Sequence, residues 1–249
     1  MKNKFGSYFL LHSIVFIWGW TAVLGKIITL PALKLIWLRV IIAFCGILFF
    51  VLYKKTKLIV SRKSLLQFLG IGLIVGLHWI CFYGAVKVSN VSITLACFST
   101  ATLFTSLIEP VFYGKKVLWY EVVFGLIVIG ALLLIFNVET HYKLGMLLGV
   151  GAALTSSLMA VLNGIMINQK SQDAGVISLY EMIGCWVCIT IFLLALEPVD
   201  ALFQASAHDW FYLIVLSIFS TTLPFIIGIY ILKEIRTYTF SHTENLETI

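Results

Sequence analysis

The chain has 249 residues and a formal charge of +6; 61% of the residues are hydrophobic and only 11% are charged, against about 25% charged in soluble domains. With a mean hydropathy of +1.06, it cannot fold in water without exposing large apolar patches. Disorder, collagen and disulfide-rich secreted scaffolds are excluded too.

The apolar runs are long, not alternating segments of about ten residues, so the chain reads as an integral membrane protein of helical spans. Eight runs of about 20 residues are predicted to cross: 7–29, 34–53, 65–86, 91–113, 117–137, 144–168, 176–196 and 210–232. Lys2 and Lys4 before the first run resemble a signal peptide. The run continues past Gly25 with no small-x-small cleavage site, so it reads as a first span with its N-terminus inside.

Alternating the spans from that start places 12 of the 17 basic residues inside, among them Lys54, Lys55, Lys57, Arg62, Lys63, Lys115 and Lys116. The loop before the eighth span carries Glu197, Asp200, His208 and Asp209 with no Lys or Arg. The positive-inside rule thus explains the basic charge. The basic clusters lack the interleaved aromatics of a single-strand nucleic-acid binder, and no nucleic-acid partner is expected. All five cysteines lie in apolar runs. Cys185-Trp-Val-Cys188 has C-x-x-C spacing, but no second pair or nearby histidine completes a metal or redox site.

A weak internal repeat aligns Leu24-Gly25-Lys26-Ile27 with Asn163-Gly164-Ile165-Met166, Leu35 to Arg39 with Ile177 to Glu181, and Leu77-His78 through Lys87 with Leu223-Pro224 through Lys233. Five spans separate the copies, so the second enters the membrane inverted, as in many secondary transporters. The expected domains are residues 1–139 (spans 1–5) and 140–249 (spans 6–8 and the start of a ninth). After Lys233 only 16 residues remain. Equal halves would need roughly 35–40 more.

These features together resemble the EamA-type branch of the drug/metabolite transporter superfamily. The residues that carry the resemblance are Ile17-Trp18-Gly19-Trp20 with Gly25-Lys26, Leu38-Arg39, Phe82 through Lys87, Glu109-Pro110 and Gly114-Lys115-Lys116. The tail from Leu232-Lys233-Glu234-Ile235 to Asn245-Leu246-Glu247 looks like the opening of the family's ninth span. Proline and a continued helix normally follow; here Thr248-Ile249 ends the sequence, and a truncated form is expected.

The resemblance implies an all-α, ten-helix carrier built from inverted five-helix repeats, in the bacterial inner membrane. It also implies alternating access, small-metabolite substrates, often amino acids or related compounds usually moved outward, and no cofactor. The alternatives are a truncated non-transporting chain, a half-partner in a homodimer, or an integral-membrane transferase. An enzyme should gather His, Asp or Ser at one interface. The aspartates, Asp173, Asp200 and Asp209, are scattered between two sides, so no enzyme activity is expected.

Candidate site residues follow from the cost of polar groups in hydrocarbon. Arg39 and Glu181 each lie about five residues into their spans, which enter the membrane from opposite faces. They are thus separated in depth by about 15 Å of a ~30 Å core, which argues against a direct salt bridge. They are expected either to form two poles of a central cavity or to snorkel to the nearer interface. Trp18 and Trp20 are mid-span, away from the interfacial belt, and either line the cavity or pack. His78, with Tyr83 one turn on, is a candidate for proton movement or a helix-to-helix hydrogen bond. Asn163 needs an interhelical or substrate partner. Glu109 before Pro110 is the coupling candidate or an interfacial acid near Lys115 and Lys116. The G-x-x-x-G pairs Gly72/Gly76 and Gly145/Gly149 are expected to let helices approach. Gly19 through Lys26 only superficially resembles a phosphate loop, with Ile27 in place of Ser or Thr and a position inside a span.

Overall fold

The computed structural model describes residues 4–138, 140–170, 172–196 and 204–245, and all regular structure among them is helical. The first three predicted spans are α1 (Lys4–Ile27), α2 (Ala32–Tyr53) and α3 (Arg62–Val88). Ser61 Oγ starts α3 by accepting the Ser64 N–H at 3.1 Å, satisfying a donor that the helix itself cannot. Asn90 does the same for α4 (Val91–Phe98), its Oδ1 accepting the Ile93 N–H at 2.9 Å.

The span predicted at 91–113 is two helices, α4 and α5 (Ala101–Tyr113). At their junction the Ser99 and Thr100 hydroxyls donate to the Ala96 and Cys97 carbonyls at 2.6 and 2.7 Å. Such local bonds compete with the helical ladder. Gly114, at φ 64°, closes α5 in the left-handed conformation that suits glycine. Then come α6 (Trp119–Val138), a 3₁₀ turn (Thr140–Tyr142), α7 (Lys143–Lys170) and α8 (Ala174–Leu196).

The span predicted at 210–232 is also composite: α9 (Ala207–Ser217), a π-helical turn (Ile218–Thr222) and α10 (Leu223–Ile231). Pro224 offers no N–H, and its ring crowds the carbonyl four residues back. Thr221 and Thr222 instead donate their hydroxyls five residues back, to Leu216 and Ser217, at 3.0 Å each, and the turn widens. The final helix is α11 (Thr237–Glu244); residues 246–249 of the expected ninth-span opening lie outside the described residues, as do Lys2, Glu197 and Asp200.

Seven of the predicted spans are long and apolar enough to cross a bilayer, and α6 covers the eighth. The chain is a multi-pass helical membrane protein. At its centre α3 packs against α7 and α8; α2 lies on α8 and α9, α4 and α5 lie on α7, and α1 meets α10 and α11. Both G-x-x-x-G pairs sit at these crossings. A Cβ at Gly72 would collide with the Glu181 carbonyl oxygen, and one at Gly76 would lie 2.8 Å from Cys188 Cβ. Gly149 faces Cys97 in the same way, at 2.7 Å. Cys185 and Cys188 are free thiols.

Polar ties fasten both ends of the bundle. At one end Lys26 Nζ donates to the Val86 and Ser89 carbonyls at 3.0 Å each, and Lys87 Nζ donates to the Ile28 carbonyl. There Asp209 also accepts from the Thr29 N–H and hydroxyl at 2.6 and 2.8 Å. At the other end Arg236 lies 3.5 Å from both Glu109 and Glu121.

Candidate functional site

Seven helices and the π turn converge on a cavity of about 70 Å³ between these two ends. From α2 comes Arg39, 3% exposed. Its Nε donates to Thr221 Oγ1 at 2.8 Å, its Nη1 donates to the Tyr83 hydroxyl, and its guanidinium carbon lies 4.3 Å from the Trp79 ring centroid. Two hydrogen bonds and a cation–π contact thus hold one buried charge. Gly25 makes room for this arrangement, because a Cβ there would strike the Tyr83 ring.

From α3, His78 also lines the cavity. Its Nδ1 lies 2.9 Å from the Ala152 carbonyl. A carbonyl only accepts, so Nδ1 is the donor in this bond. Trp18 from α1 lines the cavity too, its ring edge-on to Phe240 at 6.0 Å. Ser156 from α7 and Ser220 from the π turn supply small hydroxyls, and Glu244 from α11 a carboxylate. Glu244 is buried, and its Oε2 has no hydrogen-bond partner among the described residues.

The structure therefore brings together Trp18, Arg39, His78 and Tyr83. The other four sequence candidates lie elsewhere. Trp20 is on another face of α1, 55% exposed, beside Val215 and Phe219. A residue two positions from Trp18 points about 200° around the helix, so both cannot face one cavity. Glu181 and Asn163 are buried together, away from the cavity lining, with Asn163 Nδ2 donating to Glu181 Oε2 at 3.4 Å. Glu109 belongs to the polar cluster at the end of the bundle. It accepts the Tyr238 N–H at 2.8 Å and lies 3.5 Å from both Lys115 and Arg236. Arg39 and Glu181 form no salt bridge among the described residues.

Sequence reasoning missed Glu244, Thr221, Ser156 and Ser220. The one usable signal was the cluster Ser220-Thr221-Thr222 before Pro224 in an apolar run, the marker of a broken helix.

The model of the EamA-like transporter family matches residues 6–137. A crystal structure of a protein superposes with a TM-score of 0.74 at 13% identity, covering 98% of this chain and 85% of that one; the likeness shows the fold. Eighteen chains of known structure match in all. No curated protein matches the sequence.

Proposed function

The chain belongs to the EamA-like transporter family, membrane transporters of small molecules, and we propose that it moves amino acids or related zwitterionic metabolites outward by alternating access around the Arg39 cavity. One observation carries the substrate class. A buried guanidinium and a buried, unpartnered carboxylate, Arg39 and Glu244, face the same aromatic-walled space. Arg39 suits a substrate carboxylate, Glu244 a substrate ammonium, and the rings a side chain. In this reading Glu244 takes the anionic pole first expected of Glu181.

The size of the space supports alternating access. About 70 Å³ is well below the ~300–1,000 Å³ of ligand sites, and both ends of the bundle are tied. In this reading the space must widen as one bundle rocks against the other before a substrate can load. Helix pairings support the inverted repeat of residues 1–139 and 140–249. As α3 packs on α7 and α8, so α10 packs on α1 and the π turn and α9 pack on α2; α4 and α5 on α7 correspond to α11 on α1. In the proposed orientation the N-terminus is cytoplasmic, in a bacterial inner membrane.

The test is efflux from cells loaded with labelled amino acids. Faster efflux with the parent chain, lost in Arg39→Ala and Glu244→Gln expressed at equal levels, is the expected result. Mutants as fast as the parent would overturn the two-pole cavity. No efflux from the parent would favour a non-transporting chain or a partner-dependent half.

A further inference from the structure

Glu181 is the most completely enclosed carboxylate in the membrane region, with 0% exposure on α8. Its neighbour across the helix interface is Asn163 on α7, and Nδ2 of that amide donates to Glu181 Oε2 at 3.4 Å. The remaining atoms of the pair are both acceptors: Glu181 Oε1 and Asn163 Oδ1 have no hydrogen-bond partner among the described residues. Two buried acceptors left over in one side-chain pair are costly. A single proton on the carboxyl removes the deficit, because an O–H can then donate to the amide oxygen while the amide N–H₂ donates to the acid.

The charged and titratable groups on the packed elements do not supply an alternative. Arg39 on α2 is committed to Thr221 and Tyr83. On α3, His78 is bonded to the Ala152 carbonyl, and Tyr83 belongs to Arg39. Cys185 lies one turn along α8 itself, and Tyr230 on α10 is exposed. No cation stands within ion-pair distance of Glu181 among the described residues. Glu109 is the opposite case, with two cations and a backbone N–H around it.

Position links the pair to the cavity. Ser156 and Met159 line the cavity from α7, and Asn163 follows at i+7 and i+4, so it shares their face about 6 Å further along the helix. We propose that Glu181 and Asn163 form a proton-binding site one helical turn beyond the cavity, exchanging its proton with water when that half of the bundle opens. Its use in coupling rests on the transporter reading; its existence does not.

Infrared spectroscopy of the full chain in lipid nanodiscs tests the site without any substrate. A D₂O-sensitive protonated-carboxyl band is expected at neutral pH, lost in Glu181→Gln and retained in Glu109→Gln. Glu244→Gln identifies any part of the signal due to that second buried acid. Asn163→Ala, which removes the acceptor, should shift the Glu181 band to the higher frequency of an unbonded acid, and it serves if Glu181→Gln does not fold. A spectrum unchanged by Glu181→Gln and Asn163→Ala would overturn the proposal, as would a carboxylate band at neutral pH that moves on adding sodium. Loss of efflux with the infrared bands intact would count against the transport reading alone.

Discussion

Arg39 Nε and Thr221 Oγ1 meet at 2.8 Å, fastening a buried cation on α2 to the π turn between α9 and α10. A donor that would otherwise be stranded in hydrocarbon is satisfied by a hydroxyl that the widened turn presents. The hydroxyl also donates to the Leu216 carbonyl at 3.0 Å, so it bridges the turn and the charge.

Thr221→Val keeps the shape and removes both bonds. Hydrogen bonds to charged groups contribute about 1.5–3 kcal/mol, and a loss of that order in unfolding free energy is expected. Thermal unfolding in detergent measures it, and efflux should fall along with stability. An unchanged melting temperature would show that water replaces Thr221 at no cost.

Arg39→Lys keeps the charge but loses the fork. A lysine cannot reach Tyr83 and Thr221 together or lie flat on Trp79 in the same way. Efflux is expected to fall about tenfold or more, corresponding to ~1.4 kcal/mol or more of lost interaction. Lysine performing as well as arginine would reduce Arg39 to a point charge.

The helical membrane fold was legible because its signals are one-dimensional: run length, sparse charge and the basic bias of alternate loops. The G-x-x-x-G spacing also showed where α3 and α7 approach their neighbours. The site was legible only in part. Arg39, His78, Tyr83 and Trp18 stand out as polar or aromatic groups in apolar runs, and they meet. Glu181 and Asn163 stand out equally, yet they satisfy one another in part instead of facing the cavity. Trp20 was misplaced because helical rotation separates it from Trp18. Glu244 lies in a polar tail with no span-like hydropathy, and the packing of α11 against α5, α1 and α7 brings it inward.

The α3–α8 crossing allows no side chain at its tightest points. A Cβ at Gly72 would strike the Glu181 carbonyl oxygen, and one at Gly184 would strike the Leu69 carbonyl oxygen. Neither obstacle is a flexible side-chain end. Gly72→Ala and Gly184→Ala should each destabilise by about 1–3 kcal/mol, the usual range for overpacking, with a lower yield of monodisperse protein in size-exclusion chromatography. Gly70→Ala, with nothing within 4 Å of its Cβ, is the matched control and should behave like the parent.

At the far end of the bundle, Glu109→Gln should change little. The glutamine oxygen can still accept the Tyr238 N–H, Arg236 retains Glu121, and both Arg236 and Lys115 are about half exposed. Pairs with such solvent access contribute about 1 kcal/mol or less. The pH dependence of efflux should match that of the parent. A flattened pH profile in Glu109→Gln would instead make Glu109 the coupling group.

Counterflow in proteoliposomes tests most directly whether the Arg39 cavity is a transport site. Vesicles holding the purified full chain and loaded with unlabelled amino acids are placed in trace labelled amino acid. Saturable accumulation of label by the parent, absent in Arg39→Ala at equal protein incorporation, is expected. Equal accumulation by both would contradict the assignment, because the cation at the centre of the cavity would then play no part in moving substrate.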